Sequence, residues 1–180
     1  MICSFASADP TTLPSYTLSA TANPFPQGLR TIETYASYAN QPWSREQLYW
    51  ATVGAHYYFW PNWSFGLEFK GLEGFQPQQN VTSYGADLML RTHLIVRQNW
   101  SIYSDVAGGV LESSDRIPPT GTDFNFTIET GFGFTTHLWN RTDFLAGVRY
   151  LHLSNARQEG PDRNPSLNAV EGYVGLLFKL

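Results

Sequence analysis

The stretch DFNFTIETGFGFTTHL, residues 123–138, decides the fold. Its even positions are Phe124, Phe126, Ile128, Thr130, Phe132, Phe134, Thr136 and Leu138. Its odd positions are Asn125, Thr127, Glu129, Gly131, Gly133, Thr135 and His137. Successive side chains of a β-strand point to opposite faces, so this segment has one apolar face and one small, polar face.

The same alternation recurs on both sides of it. Residues 83–96 oppose Tyr84, Ala86, Leu88, Leu90, Leu94 and Val96 to Asp87, Arg91 and His93. Residues 63–75 oppose Trp63, Phe65, Leu67 and Phe69 to Ser64, Glu68 and Lys70. Eight such segments follow one another, at 29–38, 48–60, 63–75, 83–96, 100–112, 123–138, 142–154 and 168–180, with no sustained helical spacing and no internal repeat. Residues 1–28, with Pro10, Pro14, Pro24 and Pro26, read as an irregular lead-in to a domain spanning 29–180.

Composition narrows the class. Charged residues make up 14% and aromatics 16% of the 180 residues, which excludes a disordered chain. A net charge of -4 leaves no basic footprint for nucleic acid. The single cysteine, Cys3, excludes a disulfide framework and any multi-cysteine metal site. No apolar run approaches the ~18 residues of a membrane helix. The start MICSFASADP has neither a charged region nor a long apolar core, so a secretion signal is expected to be missing from this sequence.

Two packings compete for the alternating faces. A soluble lipocalin-like barrel would turn them apolar-in, whereas a membrane barrel turns them apolar-out. Only two lysines occur in the whole chain, few for a water-facing surface, and the polar faces carry both signs. Glu33, Glu68, Asp87, Asp105 and Glu129 can be matched in a lumen by Lys70, Arg91 and Arg149, as buried charges require. The connections Pro61-Asn62, Arg97-Gln98-Asn99 and Asn140-Arg141 are short, and the alternate ones are expected to run roughly 8 to 13 residues. That is the outer-membrane pattern of short periplasmic turns and long outer loops. Trp60, Trp63, Trp100 and Trp139 fall at the short-turn end, where an aromatic girdle belongs. The expectation is an all-β, eight-stranded antiparallel up-and-down transmembrane β-barrel in the bacterial outer membrane, with both termini on the periplasmic side.

The seventh segment carries the chemistry. Its apolar face, Phe144, Ala146, Val148 and Tyr150, continues into His152 and Ser154 at the start of the 155–167 loop. A histidine and a serine two apart on a strand are same-face neighbours, and imidazole there can take the hydroxyl proton. Spacing alone favours the bland alternative, in which both are rim residues beyond the membrane.

The run Arg149-Tyr150-Leu151-His152-Leu153-Ser154-Asn155-Ala156, followed by Asn164-Pro165 and a last strand, resembles the lipid A 3-O-deacylase (PagL) and acyloxyacyl hydrolase-like family. The resemblance rests on His-x-Ser-Asn-Ala near the C-terminus and covers about the last 32 residues, with barrel size and loop order agreeing elsewhere. It implies an outer-membrane serine esterase that removes an ester-linked acyl chain, the 3-O chain, from lipid A, with its site on the barrel exterior. Ser154 then looks like the nucleophile and His152 like the general base. Asn155, Asn164 and loop N–H groups resemble the oxyanion donors, although turn chemistry accounts for each asparagine equally well.

The third member departs from the family. A glutamate is expected four residues after the loop asparagine, and that position is Asn168. Glu171 is nearby, but strand parity places Asn168 on the lipid face and Glu171 in the lumen. Either an asparagine serves, or a bulge returns Glu171 to the site, or activity is weak or lost. Arg157 and Arg163 are candidates for lipid phosphate contact or simply solvated loop charges. His56, His93 and His137 read as lumen hydrogen-bonding residues; no spacing supports a metal site, and no cofactor is expected. The implied partners are lipid A or lipopolysaccharide, the surrounding outer-membrane lipids and, as an option, a second copy in a homodimer. The competing reading is a non-catalytic structural or adhesin-type barrel that retains the signature.

Overall fold

The computed structural model describes residues 23–42, 45–77, 79–160 and 164–180. Eight strands form, β1 (Arg30–Asn40), β2 (Gln47–Trp60), β3 (Trp63–Phe75), β4 (Asn80–Val96), β5 (Trp100–Ile117), β6 (Thr122–Trp139), β7 (Thr142–Ser154) and β8 (Leu167–Lys179). Each pairs antiparallel with its neighbours, and β1 pairs with β8 to close the barrel. Closure satisfies every strand edge within the sheet, which hydrocarbon surroundings demand.

Parity sets what each strand buries. Phe69, Phe132, Val148 and Val174 on the outer wall are each more than half exposed, while Glu68, Asp87, Glu129 and Arg149 are buried inside. The apolar faces therefore point outward, as expected of a membrane barrel and opposite to a lipocalin-like one. Trp60, Trp63, Trp100 and Trp139 are exposed at the short-turn end.

The lumen is filled in three layers. At mid-height lies a charged layer. Arg91 Nη1 donates to Glu33 Oε1 at 2.6 Å, and Arg149 Nη2 donates to Asp105 Oδ2 at 2.9 Å. Lys70 pairs with both Asp87 and Glu129, and Arg149 Nη1 donates to the Tyr35 hydroxyl at 2.8 Å. Towards the short turns Tyr35, Tyr58, Tyr103, Leu145, Tyr173 and Leu177 form an aromatic layer. Towards the long loops Leu48, Trp50, Leu72, Val81, Leu111, Leu151, Leu153 and Leu167 form an apolar one.

Two features depart from the sequence expectation, and a third, at Phe25, adds to it. The alternate connections are residues 41–46, 76–79, 118–121 and 155–166, so only the last is long; β4 and β5 carry the ladder further than their apolar faces do. Past the hydrocarbon belt a strand no longer needs an apolar outer face, and there the lumen becomes apolar instead. Val96 faces inward, because the register slips between His93 and Ile95 and the bulge at Leu94 reverses parity for the rest of β4. Phe25, ahead of β1, is buried in the mouth of the barrel with its ring centroid 3.7 Å from that of His93, held by Asn62 N–H to its carbonyl at 2.9 Å.

Removing one partner from a buried ion-pair layer strands the other charges. Arg149→Met should lower the unfolding free energy of the detergent-folded barrel by about 3–5 kcal/mol, read from the midpoint of urea-induced loss of heat-modifiable gel migration.

Candidate active site

His152, Ser154 and Asn168 meet on the outer wall where β7 and β8 leave the membrane belt. Antiparallel pairing sets His152 directly opposite Asn168, and β6 supplies Ile128 and Phe126 beside His152 and Ser154. On the inner side the same strands bury Leu151, Leu153, Leu167 and Ala169 in the apolar layer. The alternate residues are thus locked by packing, and the polar ones between them are held by a rigid backbone.

The three side chains form a continuous hydrogen-bonded array. His152 Nδ1 lies 2.8 Å from Asn168 Oδ1, and His152 Nε2 lies 3.1 Å from Ser154 Oγ. Asn168 Oδ1 also accepts the Tyr150 hydroxyl at 2.5 Å, while its Nδ2 donates to Ser166 Oγ at 3.3 Å. The amide presents its oxygen to the imidazole. An oxygen acceptor at Nδ1 places the ring proton there and leaves the Nε2 lone pair facing the serine hydroxyl.

Beyond Ser154 the strand stops abruptly. Ala156 and Arg157 adopt left-handed backbone conformations with φ of 52° and 64°. Asn155 Oδ1 accepts Arg157 N–H at 2.9 Å, an Asx turn, and Asn164 Oδ1 accepts Asn155 N–H at 3.0 Å. The two asparagines expected as oxyanion donors thus hold the base of the loop together, one residue from Ser154. Arg157 is exposed on this loop; Arg163 lies outside the described residues.

Glu171 is not in the array. The β7–β8 register runs without a slip from Thr142–Phe178 to Leu153–Leu167, so no bulge turns the glutamate outward. It is buried in the lumen, where its Oε1 accepts Trp50 Nε1–H at 2.8 Å. His93 is likewise internal, between Tyr58 OH at 2.9 Å and Ser101 Oγ at 2.7 Å, and His137 lies at the rim against Asp143 at 3.1 Å. Sequence reasoning missed Tyr150 and Ser166 as the groups hydrogen-bonded to Asn168. The available signal was parity, since Tyr150, His152 and Ser154 share one face, as do Ser166 and Asn168.

Charged lumen, lipid-facing apolar wall and eight closed strands define a bacterial outer-membrane β-barrel. Solved structures of that class are similar in fold. Neisserial surface protein A matches with a TM-score of 0.58 at 12% identity over 84% of this chain and 95% of its own. OprG from Pseudomonas aeruginosa matches with a TM-score of 0.54 at 11% identity over 86% of this chain and 97% of its own. No curated protein gives a significant sequence match. The profile of the lipid A 3-O-deacylase (PagL) family matches residues 34–176, and the chain belongs to that family.

The loop staple yields a local prediction. Asn164→Ala should raise the amide exchange rate at Asn155 roughly three- to tenfold, the worth of about one hydrogen bond, without moving the unfolding midpoint of the barrel; exchange measured by mass spectrometry checks this.

Proposed function

We propose that the protein is an outer-membrane serine esterase that removes the 3-O-linked acyl chain from lipid A, with Ser154 as nucleophile and His152 as general base. The observation that carries this reading is the 3.1 Å approach of His152 Nε2 to Ser154 Oγ, on the outer wall of a barrel whose family deacylates lipid A. Lipid A dissolved in the outer leaflet presents its esters at that height, since short turns face the periplasm in this class and the array lies at the opposite end.

The reaction runs in two halves. Ser154 Oγ attacks the ester carbonyl as its proton passes to His152 Nε2, and the imidazolium returns that proton to the departing sugar oxygen. Water, deprotonated by the same nitrogen, then releases the fatty acid from Ser154. The oxyanion calls for donors fixed before the reaction, and the stapled 155–164 loop supplies candidates in its backbone N–H groups and in the Asn155 and Asn164 amides.

Asn168 stands where the family's glutamate is expected, and its effect depends on which end faces the ring. In serine proteases an acid-to-amide change costs about 10⁴ in turnover because it selects the wrong imidazole tautomer. Here the amide oxygen faces Nδ1, an arrangement that keeps the productive tautomer. What is lost is the electrostatic stabilisation of imidazolium.

Ser154→Ala should lower lipid A deacylation by at least about three orders of magnitude while leaving heat-modifiable migration intact, read by mass spectrometry of lipid A from expressing cells. Unchanged lipid A processing would favour the non-catalytic barrel. Asn168→Glu should raise the rate on the order of tenfold, by restoring a carboxylate beside the imidazolium. A folded Asn168→Glu variant slower than the parent would count against the proposed geometry.

A further inference from the structure

Three buried side chains in the lumen, remote from the outer wall, have ligand atoms that converge without being satisfied. They come from three successive strands: Glu33 on β1, His56 on β2 and Glu68 on β3. His56 Nε2 lies 3.4 Å from Glu68 Oε1 and 3.8 Å from Glu33 Oε2, and one ligand atom from each residue falls within 4.8 Å of the other two. All three side chains are 0% exposed. None of these three atoms has a hydrogen-bond partner among the described residues.

Each carboxylate is held by its other oxygen. Glu33 Oε1 accepts Arg91 Nη1–H at 2.6 Å, and Glu68 Oε2 accepts the Tyr35 hydroxyl at 2.7 Å. Outer partners that fix one oxygen and aim the other are the usual support of a metal-ligating carboxylate. Space for the imidazole exists because two inward positions lack side chains. A Cβ on Gly54 would lie 2.9 Å from Glu68 Cγ and 3.2 Å from His56 Nε2, and one on Gly66 would lie 2.3 Å from His56 Nδ1.

We propose that Glu33 Oε2, His56 Nε2 and Glu68 Oε1 bind one divalent transition-metal ion of the zinc type, tying β1, β2 and β3 together inside the barrel. Ligand atoms about 2.1 Å from a tetrahedral ion stand about 3.4 Å apart, close to the 3.4 and 3.8 Å that separate His56 Nε2 from the two carboxylate oxygens. Imidazole with two carboxylates suits zinc, water completing the fourth position. Charge favours it too. Among the described residues, the mid-lumen carboxylates Glu33, Glu68, Asp87, Asp105, Glu129 and Glu171 face only Lys70, Arg91 and Arg149, an excess of three negative charges that a divalent ion reduces to one. The rival occupant is a proton on His56, which would leave an excess of two. The site is sealed, so the ion enters as the chain folds.

The test refolds the full chain into detergent micelles from metal-free denaturant, with and without one equivalent of Zn²⁺, and measures retained metal after gel filtration. The expected result is about one zinc per folded chain, a raised unfolding midpoint, and at least a tenfold loss of retained zinc in His56→Gln and Glu68→Gln. Substitution by Co²⁺ gives a second readout on the unmutated chain, the intense visible bands of a four-coordinate site, which serves if either variant fails to fold. Folded wild-type protein that retains no zinc and gives no such bands would overturn the proposal in favour of a protonated imidazole. Full retention in folded His56→Gln would overturn it as well.

Discussion

Lys70, Arg91 and Arg149 occupy the middle of the lumen, and each has, besides a partner on an adjacent strand, one on a strand that is not its neighbour in the sheet. Arg91 on β4 reaches Glu33 on β1, Lys70 on β3 reaches Glu129 on β6, and Arg149 on β7 reaches Tyr35 on β1. The backbone ladder joins each strand only to the next, so these contacts brace the barrel across its diameter. A buried ion pair adds little net stability over a well-packed apolar pair, yet breaking one is expensive. The layer thus works chiefly as a specification. Slipping any strand by one residue would put its charges into lipid and its aromatics against the arginines.

The outer-wall array depends on the same parity, one layer further along. His152, Ser154 and Asn168 alternate with Leu151, Leu153, Leu167 and Ala169, which are buried where the lumen is apolar. Side chains that chemistry needs on the outside are positioned by side chains that packing fixes on the inside. The orientation of Asn168 adds a second constraint, because a lone amide could present either end to the ring. In this structure the oxygen faces the ring, with the Tyr150 and Ser166 hydroxyls hydrogen-bonded to the amide.

Most of the barrel was legible because a period of two is unambiguous when one face meets lipid and the other is charged. The stretch 123–138 alone defines both faces, and counting back from Leu180 suffices to put Asn168 outside and Glu171 inside. Reading failed where that contrast fades. At the long-loop end β4 and β5 continue with polar outer positions, Asn80 and Thr82 on one and Glu112 and Ser114 on the other, so they look like loop in the sequence, and three of the four long connections proved short. The bulge at Leu94 leaves no mark in composition, and Val96 was put on the wrong face. Phe25 belongs to a proline-containing segment with no periodicity, so nothing local shows that its ring fills the barrel mouth. The Glu33–His56–Glu68 convergence joins three strands through register, which spacing along the chain does not reveal.

The stacking of aromatic, charged and apolar layers has an electrical consequence. Phe25 and the tyrosines close one end, and Trp50, Leu72, Leu111 and Leu153 close the other. An ion entering from either side would have to shed its hydration shell in one of these layers before reaching the charged middle of the lumen. The barrel therefore behaves as a dielectric plug in the membrane, and the arginines within it carry load rather than current.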